Sequence, residues 1–453
     1  MNRREFLGSL GAAAITPQVL NAQGLKGQAA CPASPKPDYT LTIAPVNIEI
    51  APKKIVKTIG YNGTAPGPLL RLREGQPVTI DVINQTASED LVHWHGLDIP
   101  SNMDGAMEEG TPMIPPKACR RYTFTPTPSG TRWYHSHVSA GRNLNRGTYT
   151  GQFGFLYIEP SNDPGRYDQE VFLALREWDP FMSSSEEEGL EVAYKQFSIN
   201  DRSLGAGEPI RVRQGQRVLF RILNASATMH RRIGFAGHRF QVTALDGNTV
   251  ATPWTMDALE LGPAERIDAV VEMNNPGVWI LGADNDHDRR AGLGIVVEYA
   301  GQTGEPQWVR PSGVWDYTVF GAAEGSDAPA QTERVPLIIQ KKFAGTRWVD
   351  NWTINGKMFP KTDPILVHAN RRYRLIFDNR SDEAHPLHLH RHTFELKKIA
   401  GVATSGVRKD VVVVQPMSQT EVEFVANNPG PTLFHCHQQM HMDYGFMMLM
   451  KYV

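Results

Sequence analysis

One pattern occurs three times along this chain, and a repeat of that size limits the fold more than any other feature. Asn62-Gly63 is followed by Pro68, Gly75-Gln76 and a closing Asn84; Asn200-Asp201 by Pro209, Gly215-Gln216 and Asn224; Asn355-Gly356 by Pro364, Asn370-Arg371 and Asn379. The closing Asn stands nine residues beyond Gly75, Gly215 and Asn370 in every copy. Between them apolar residues alternate, as in Val78, Ile80 and Val82, which is the period of a strand with one buried face. Gly75, Gly215 and Asn370 are 140 and 155 residues apart. Units of that length carry their own cores, so the repeat predicts three tandem β-sandwiches rather than a solenoid. A chain of 453 residues has room for them, and its 40 Gly and 32 Pro supply the turns.

Histidine is spread unevenly over this frame. Ten of the 15 histidines fall in four clusters: His93-Trp94-His95, His135-Ser136-His137, His385-Pro386-Leu387-His388-Leu389-His390, and His435-Cys436-His437 with His441. An HxH on a strand places both imidazoles on one face. In His435-Cys436-His437 the thiol then faces away from both rings, so adjacent residues can serve two metal sites. Thiolate with imidazole is a ligand set for copper. A single HxH is a poor sign of metal; four such clusters, one with a Cys, are a strong one. The repeat also says where they meet. Nine residues beyond Asn84 and Asn379 stand His93 and His388, and Trp133-Tyr134-His135 matches Leu433-Phe434-His435. The same counts in the second copy reach Ile233 and Gly282. Copies one and three thus supply four histidines each, and a metal cluster is expected between them, with copy two holding them in place. His230 stands where copy three has His385, but it reads as a satisfied or surface residue, as do His238, His287 and His368. His392 reads as a supporting or surface residue.

The stretches HWHGLDIPSNMDG, WYHSH, HPLHLH and HCHQQMHMDYGF, in this order, resemble the multicopper oxidases, a family of laccases, ascorbate oxidases and bacterial cuprous oxidases. The resemblance implies an all-β fold of three tandem cupredoxin-like Greek-key β-sandwich domains, expected over 38–160, 165–300 and 333–453. It implies four copper ions per chain. Type 1 copper falls to His385, Cys436 and His441; type 2 to His93 and His388; the type 3 pair to His95, His135, His137, His390, His435 and His437. Phe446, which cannot coordinate, takes the axial position of type 1, with Met447 the alternative one residue on. Lack of an axial thioether disfavours Cu(II) and raises the potential. Asp104 matches the acidic residue that relatives place beside the trinuclear site, where it serves proton delivery. Bacterial relatives often carry a Glu after the type 1 His; here Met442 stands there, with Asp443 next. Electrons are expected to enter near His441 or His385 and to pass from Cys436 to His435 and His437.

The activity so implied couples four one-electron oxidations of a donor to reduction of dioxygen to water. Two donor classes compete: phenols and aromatic amines, as for a laccase, or Cu(I) and other metal ions in copper tolerance. Met440, Met442, Met447, Met448 and Met450 cluster near the C-terminus, but no long Met-rich insertion interrupts copy three, which favours an aromatic donor. The complete ligand set argues against a non-catalytic electron carrier or scaffold on the same fold. A net charge of −2 and pI near 6.7 give no basic field for nucleic acid. Residues 1–22, with Asn2-Arg3-Arg4-Glu5-Phe6-Leu7 before a mild apolar run, read as a twin-arginine signal, with the mature chain starting at Gln23. The export machinery is then a partner and the address periplasmic or secreted. No later segment approaches the roughly 20 apolar residues of a membrane span; no membrane anchor is expected, and the chain is expected to be a monomer. Glu159 to Pro164 and Tyr299 to about Thr332 read as connections, and Ser183 to Glu188 as a solvated loop. With Cys436 a ligand, Cys31 and Cys119 remain as a disulfide or as two thiols.

Overall fold

The computed structural model describes residues 31–161, 166–184, 189–322, 332–345 and 347–453. The expected signal segment and Gln23 lie outside them, as do 162–165 of the first connection and 185–188 of the Ser183–Glu188 loop. Each copy of the repeat folds as two facing sheets. In the first, Lys54–Tyr61, Tyr39–Ala51, Val78–Asn84 and Cys119–Phe124 lie side by side in that order; Leu70–Arg73, Phe153–Glu159, Gly130–Ser136 and Val92–His95 form the other sheet. The second copy has sheets of six and five strands, the third of seven and five. In every copy the opening strand runs parallel to the strand ending in the closing Asn: Tyr39–Ile43 beside Ile80–Asn84, Gln169–Leu175 beside Val218–Asn224, Glu333–Ile339 beside Tyr373–Asn379. A tight hairpin cannot join parallel neighbours, so the chain crosses to the facing sheet in between, as a Greek-key sandwich requires. The all-β expectation holds.

The repeated residues do the same work three times. Asn62, Asn200 and Asn355 have φ of 52°, 56° and 51°, a left-handed turn that Asn tolerates better than most residues. The side-chain oxygen of each accepts the backbone N–H of Thr42, Ala174 or Ile338, and its amide donates to the carbonyl of Thr40, Phe172 or Pro336. Each Asn therefore pins a corner onto the opening strand. The closing Asn84, Asn224 and Asn379 are buried and donate across to the carbonyls of Ile114, Leu261 and Val414.

One apolar core runs through copies two and three. A separate cluster joins Trp133 and Phe155 of copy one, Trp178 and Leu223 of copy two, and Val411 of copy three. Val411 leads out of the segment that faces the histidines, so this packing seats the histidine faces of copies one and three against each other.

The structure settles one open alternative of the sequence reading and differs from it in other details. Cys31 and Cys119 form a disulfide, with Cα atoms 5.1 Å apart. Over 300–322 the connection after Tyr299 is no free linker: Gln307 bridges to Trp279, and a helical turn at Tyr317–Phe320 buries both of its aromatic ends, while 323–331 lie outside the described residues. Strand register places Ala283, not Gly282, opposite Ile233, because Ala283 stands seven residues beyond Pro276, as His135 does beyond Pro128, whereas copy three reaches His435 six residues beyond Pro429. Between Thr432–Cys436 and Met447–Tyr452 a short helix, Gln439–Asp443, brings His441 back over Cys436.

Candidate metal centre

Two strand pairs carry six of the ten clustered histidines, and they match in register. Val92–His95 pairs with Gly130–Ser136 so that His93 stands opposite His135. His385–Leu389 pairs with Thr432–Cys436 so that His388 stands opposite His435 and Leu387 opposite Cys436. Alternation then sends each HxH to one face, and the faces meet. Ligand atoms within 4.8 Å of one another gather as His95, His135 and His437; as His137, His390 and His435; and as His93, His95 and His388, all buried. Each group draws on both copies.

Hydrogen bonds fix which nitrogen points inward. His93 Nδ1 donates to the Asp104 carbonyl at 2.8 Å and His388 Nδ1 to the Asp410 carbonyl at 2.7 Å, leaving both Nε2 atoms buried without a partner. His135 and His435 donate through Nδ1 to the carbonyls of Ser136 and Cys436, each at 2.8 Å. His390 donates through Nδ1 to Asp104 Oδ2 at 2.8 Å. His390 and His435 therefore turn two bare Nε2 lone pairs toward each other at 3.0 Å. Burial holds the rings of His95, His135, His137, His388, His435 and His437 well below the usual imidazole range and brings His390 to about 4. Neutral rings with converging lone pairs repel unless a cation lies among them. The donor set fits a metal.

A second constellation lies on the other face of the same strand. Cys436 Sγ is 3.8 Å from His385 Nδ1 and 3.6 Å from His441 Nδ1, and the two Nδ1 atoms are 3.2 Å apart. His385 donates through Nε2 to Ser381 Oγ at 2.9 Å, and His441 Nε2 lies 3.2 Å from Glu383 Oε2, so again the inward nitrogens carry lone pairs. Burial pushes the Cys436 thiol up; a thiolate here needs a cation beside it. The ring of Phe446 is 5.0 Å from that of His385, and Trp352 lies 4.5 Å from His385 and 4.3 Å from His441. Met447 pairs with His435 and packs with Leu433 and Met442 on the opposite face. Phe446, not Met447, shares the thiol's face.

Acidic residues complete the first centre. Asp104 ends a short helix, Ser101–Asp104, that lies on the His93 strand; a Cβ on the next residue, Gly105, would meet the Val92 carbonyl oxygen at 1.9 Å. Only glycine permits that approach. Burial penalises the Asp104 carboxylate, but His93 and His390 more than offset this and hold it well below the usual range. Glu109 is raised, first by burial and then by the charge of the neighbouring Asp104. Glu109 Oε1 accepts the Leu433 N–H at 2.6 Å and lies 3.4 Å from His390 Nδ1. Asp443 is spent elsewhere, accepting the N–H groups of Ala140 and Gly141.

The residues expected outside the centres stay outside. His230 is exposed, with Nε2 3.3 Å from the Ala384 carbonyl. His238 is bonded to Tyr299 and Ala236, while His287 and His368 are exposed. His392 is buried between the His390 carbonyl and the Tyr452 hydroxyl. The sequence reading missed Asp410, Glu109, Ser381, Glu383 and Trp352. A charged Lys409-Asp410 pair leading into Val411–Val414 was a signal for the first; Glu108-Glu109 looks like an ordinary solvated acidic pair.

Comparison with known proteins agrees with the geometry. Three models described as multicopper oxidase match residues 42–163, 177–300 and 333–453. Multicopper oxidase MmcO of Mycobacterium tuberculosis is 31% identical over 100% of this chain and 97% of its own length. The chain belongs to the multicopper oxidase family. Laccase-3 of Thanatephorus cucumeris is 25% identical over 91% of this chain and 90% of that protein. The crystal structure of a multi-copper oxidase from Pseudomonas Thermotolerans superposes with a TM-score of 0.73 at 25% identity, covering 92% of this chain and 98% of that one. This multicopper oxidase is thus an oxidoreductase that binds copper and acts with oxygen, on cupredoxin-like domains.

Proposed function

We propose that this multicopper oxidase is laccase-like, taking electrons from phenols or aromatic amines with four coppers per chain. In this reading His385, Cys436 and His441 would hold type 1 copper, with the non-coordinating Phe446 ring beside them. His93 and His388 hold type 2, and the remaining six histidines hold the type 3 pair. When bound, copper supplies the one-electron redox chemistry that joins donor to dioxygen. The observation that carries the reading is the His435-Cys436-His437 tripeptide: its thiol lies in one buried constellation and its two rings in the other. Cys436 supplies the thiolate, and the covalent route onward is one residue long in either direction.

Asp104 holds and hands on protons at its carboxylate beside His93 and His390, and Glu109 stands in for the acid that Met442 does not provide. An aromatic donor is supported by a cavity of about 470 Å³ beside Ala384, lined by Leu261, Trp315 and Tyr317 among others, and by the Trp352 face against both type 1 rings. Glu383 favours a second reading. Its half-buried carboxylate, also bonded to Lys341 Nζ at 2.8 Å, touches the outer edge of His441 and could take a metal cation as donor. The chain is exported as a monomer through the twin-arginine route to the periplasm or beyond; among the described residues no helix is long and apolar enough to cross a membrane.

The test is metal analysis of loaded protein followed by steady-state oxidation of a phenol and of Cu(I). Four coppers, and a higher kcat/KM for the phenol that Glu383→Gln leaves intact, are expected. Preference for Cu(I) that Glu383→Gln abolishes would give the second reading.

A further inference from the structure

Asp410 is where all three copies reach the trinuclear histidines. Its backbone carbonyl accepts from His388 Nδ1 in copy three at 2.7 Å, and its Oδ1 accepts from His95 Nε2 in copy one at 3.0 Å. From copy two, which contributes none of the clustered histidines, Arg266 grips the same carboxylate with both prongs: Nη1 to Oδ1 at 2.7 Å and Nη2 to Oδ2 at 2.6 Å. Arg132 adds a longer contact at 3.3 Å. Arg266, Asp410 and His95 are all at most 1% exposed.

The guanidinium is itself fixed. Arg266 donates to the carbonyls of Ala264 at 3.0 Å, Asp246 at 3.1 Å and Thr131 at 3.3 Å. Gly96 shows how tight the seat is. A Cβ there would stand 2.6 Å from Asp410 Oδ2 and 2.9 Å from Arg266 Nη2, so the residue after His95 must be glycine for the clamp to close. A bidentate guanidinium orients a carboxylate in one plane. Asp410 then has one direction in which to accept from His95, and that bond sets both the tautomer and the ring plane. His95 belongs to two of the three histidine groups, so a turn of its ring disturbs both.

We propose that Arg266 is a positioning residue for the trinuclear site: through Asp410 it orients His95 and His388, which gives the copy without ligands a direct part in metal binding. The proposal rests on the reading that these histidines hold copper. Loss of such a partner typically weakens metal binding by about 10–100-fold.

The experiment titrates Arg266→Gln and Arg266→Lys holoenzymes against a copper chelator, following copper per chain, the blue type 1 band and the type 2 paramagnetic resonance spectrum. Arg266→Gln should keep the blue band per chain, lose the other coppers at about 10–100-fold higher free copper, and show a shifted type 2 spectrum. Arg266→Lys, with one donor in place of a fork, should fall between. Unchanged copper affinity and an unchanged type 2 spectrum, with only a lower melting temperature, would mean that Arg266 merely holds the copies together and would overturn the proposal. Should Arg266→Gln fail to fold, Asp410→Asn decides. It keeps the size and the carbonyl bond to His388; the same loss supports the proposal and unaltered affinity overturns it. A wild-type protein that binds no coupled copper would refute the functional reading, and this proposal with it.

Discussion

With Asp104 as the proposed proton carrier, replacing it by Asn should separate proton supply from metal binding, because its backbone carbonyl and its carboxylate bond different rings. His93 Nδ1 is held by the Asp104 carbonyl at 2.8 Å, with the carboxylate a weaker second acceptor at 3.1 Å. An amide leaves the first bond untouched. His390 Nδ1 loses a charge-assisted acceptor at 2.8 Å and can keep a neutral one, a change on the order of 1–2 kcal/mol. Copper should therefore stay bound in a well-loaded sample. The proton function has no such reserve, since an amide cannot hand on a proton. Positioned acids and bases typically contribute about 10²–10⁴-fold. Glu109 remains beside the lesion with its carboxyl still raised by burial, so the low end, roughly 10², is expected for the single variant and more for Asp104→Asn with Glu109→Gln. Stopped-flow measurement of each half-reaction is the assay. Type 1 copper should be reduced by the donor at the wild-type rate and then stay reduced while oxygen is consumed slowly, and the defect should grow as pH rises and protons become scarce. Normal reoxidation by oxygen with a slowed reductive half-reaction would refute the reasoning and return Asp104 to the role of a turn residue.

Cys436→Ser should abolish the blue absorption and the oxidase activity while circular dichroism still reports a folded β protein; no other free Cys exists among the described residues to replace it. Phe446→Met should lower the type 1 potential in a redox titration and slow oxidation of high-potential phenols, because a thioether then faces the copper; no change, or a rise, would place Phe446 elsewhere. Asp98 has its carboxyl raised by burial from 3.8 to about 7. A raised acid binds protons more tightly folded than unfolded, so it costs stability progressively as pH climbs from about 4 to 7. Asp98→Asn should flatten that part of the denaturant-midpoint profile and leave the profile below it unchanged. Reducing the Cys31–Cys119 bond, which spans 88 residues, releases a loop whose closure is worth on the order of 4–5 kcal/mol in the chain-entropy model; calorimetry with and without reductant should show copy one melting earlier.

What the sequence discloses here depends on whether the physics is local. Asn62, Asn200 and Asn355 stand out because one residue both adopts a left-handed turn and bonds the opening strand, and few side chains do both. Asn370 takes the place of Gly75 and Gly215 for the same reason, with φ of 63° against 74° and 83°. The HxH pairs are legible because strand alternation alone sets their direction, and the same alternation separates Phe446 from Met447. Asp410 is different. Its partners His95 and Arg266 are 315 and 144 residues away, so nothing periodic near it betrays the contact. Glu109 was hidden for another reason: its burial comes from copy three, through the Leu433 N–H, and not from its neighbours in the chain. The slip from Ala283 to Gly282 shows the limit of counting, since a one-residue difference between the copies moves a strand to its other face.

The pseudo-symmetry that doubles the histidines extends one step further and then breaks, and the break bears on direction. Asp104 holds His93 by its carbonyl and His390 by its carboxylate; Asp410 holds His388 by its carbonyl and His95 by its carboxylate. Each acid thus orients one ring from its own copy and one from the other. Their surroundings are not related. Both oxygens of Asp410 accept from guanidinium groups, Arg266 on both and Arg132 on one, which leaves no oxygen free to exchange a proton. Asp104 meets the Glu109 carboxyl instead of a guanidinium, and the buried Asp104 Oδ1 and Glu109 Oε2 have no hydrogen-bond partner. Two bare anions side by side would repel, which favours a proton on Glu109, the carboxyl whose range is raised. On the proposed reading the site has one side for rigidity, facing Arg266 and the copy without ligands, and one side for protons, facing the Ser101–Glu109 segment. That arrangement predicts that substitutions on the Asp410 side change metal spectra at every pH, whereas those on the Asp104 side change rates in a manner that depends on pH.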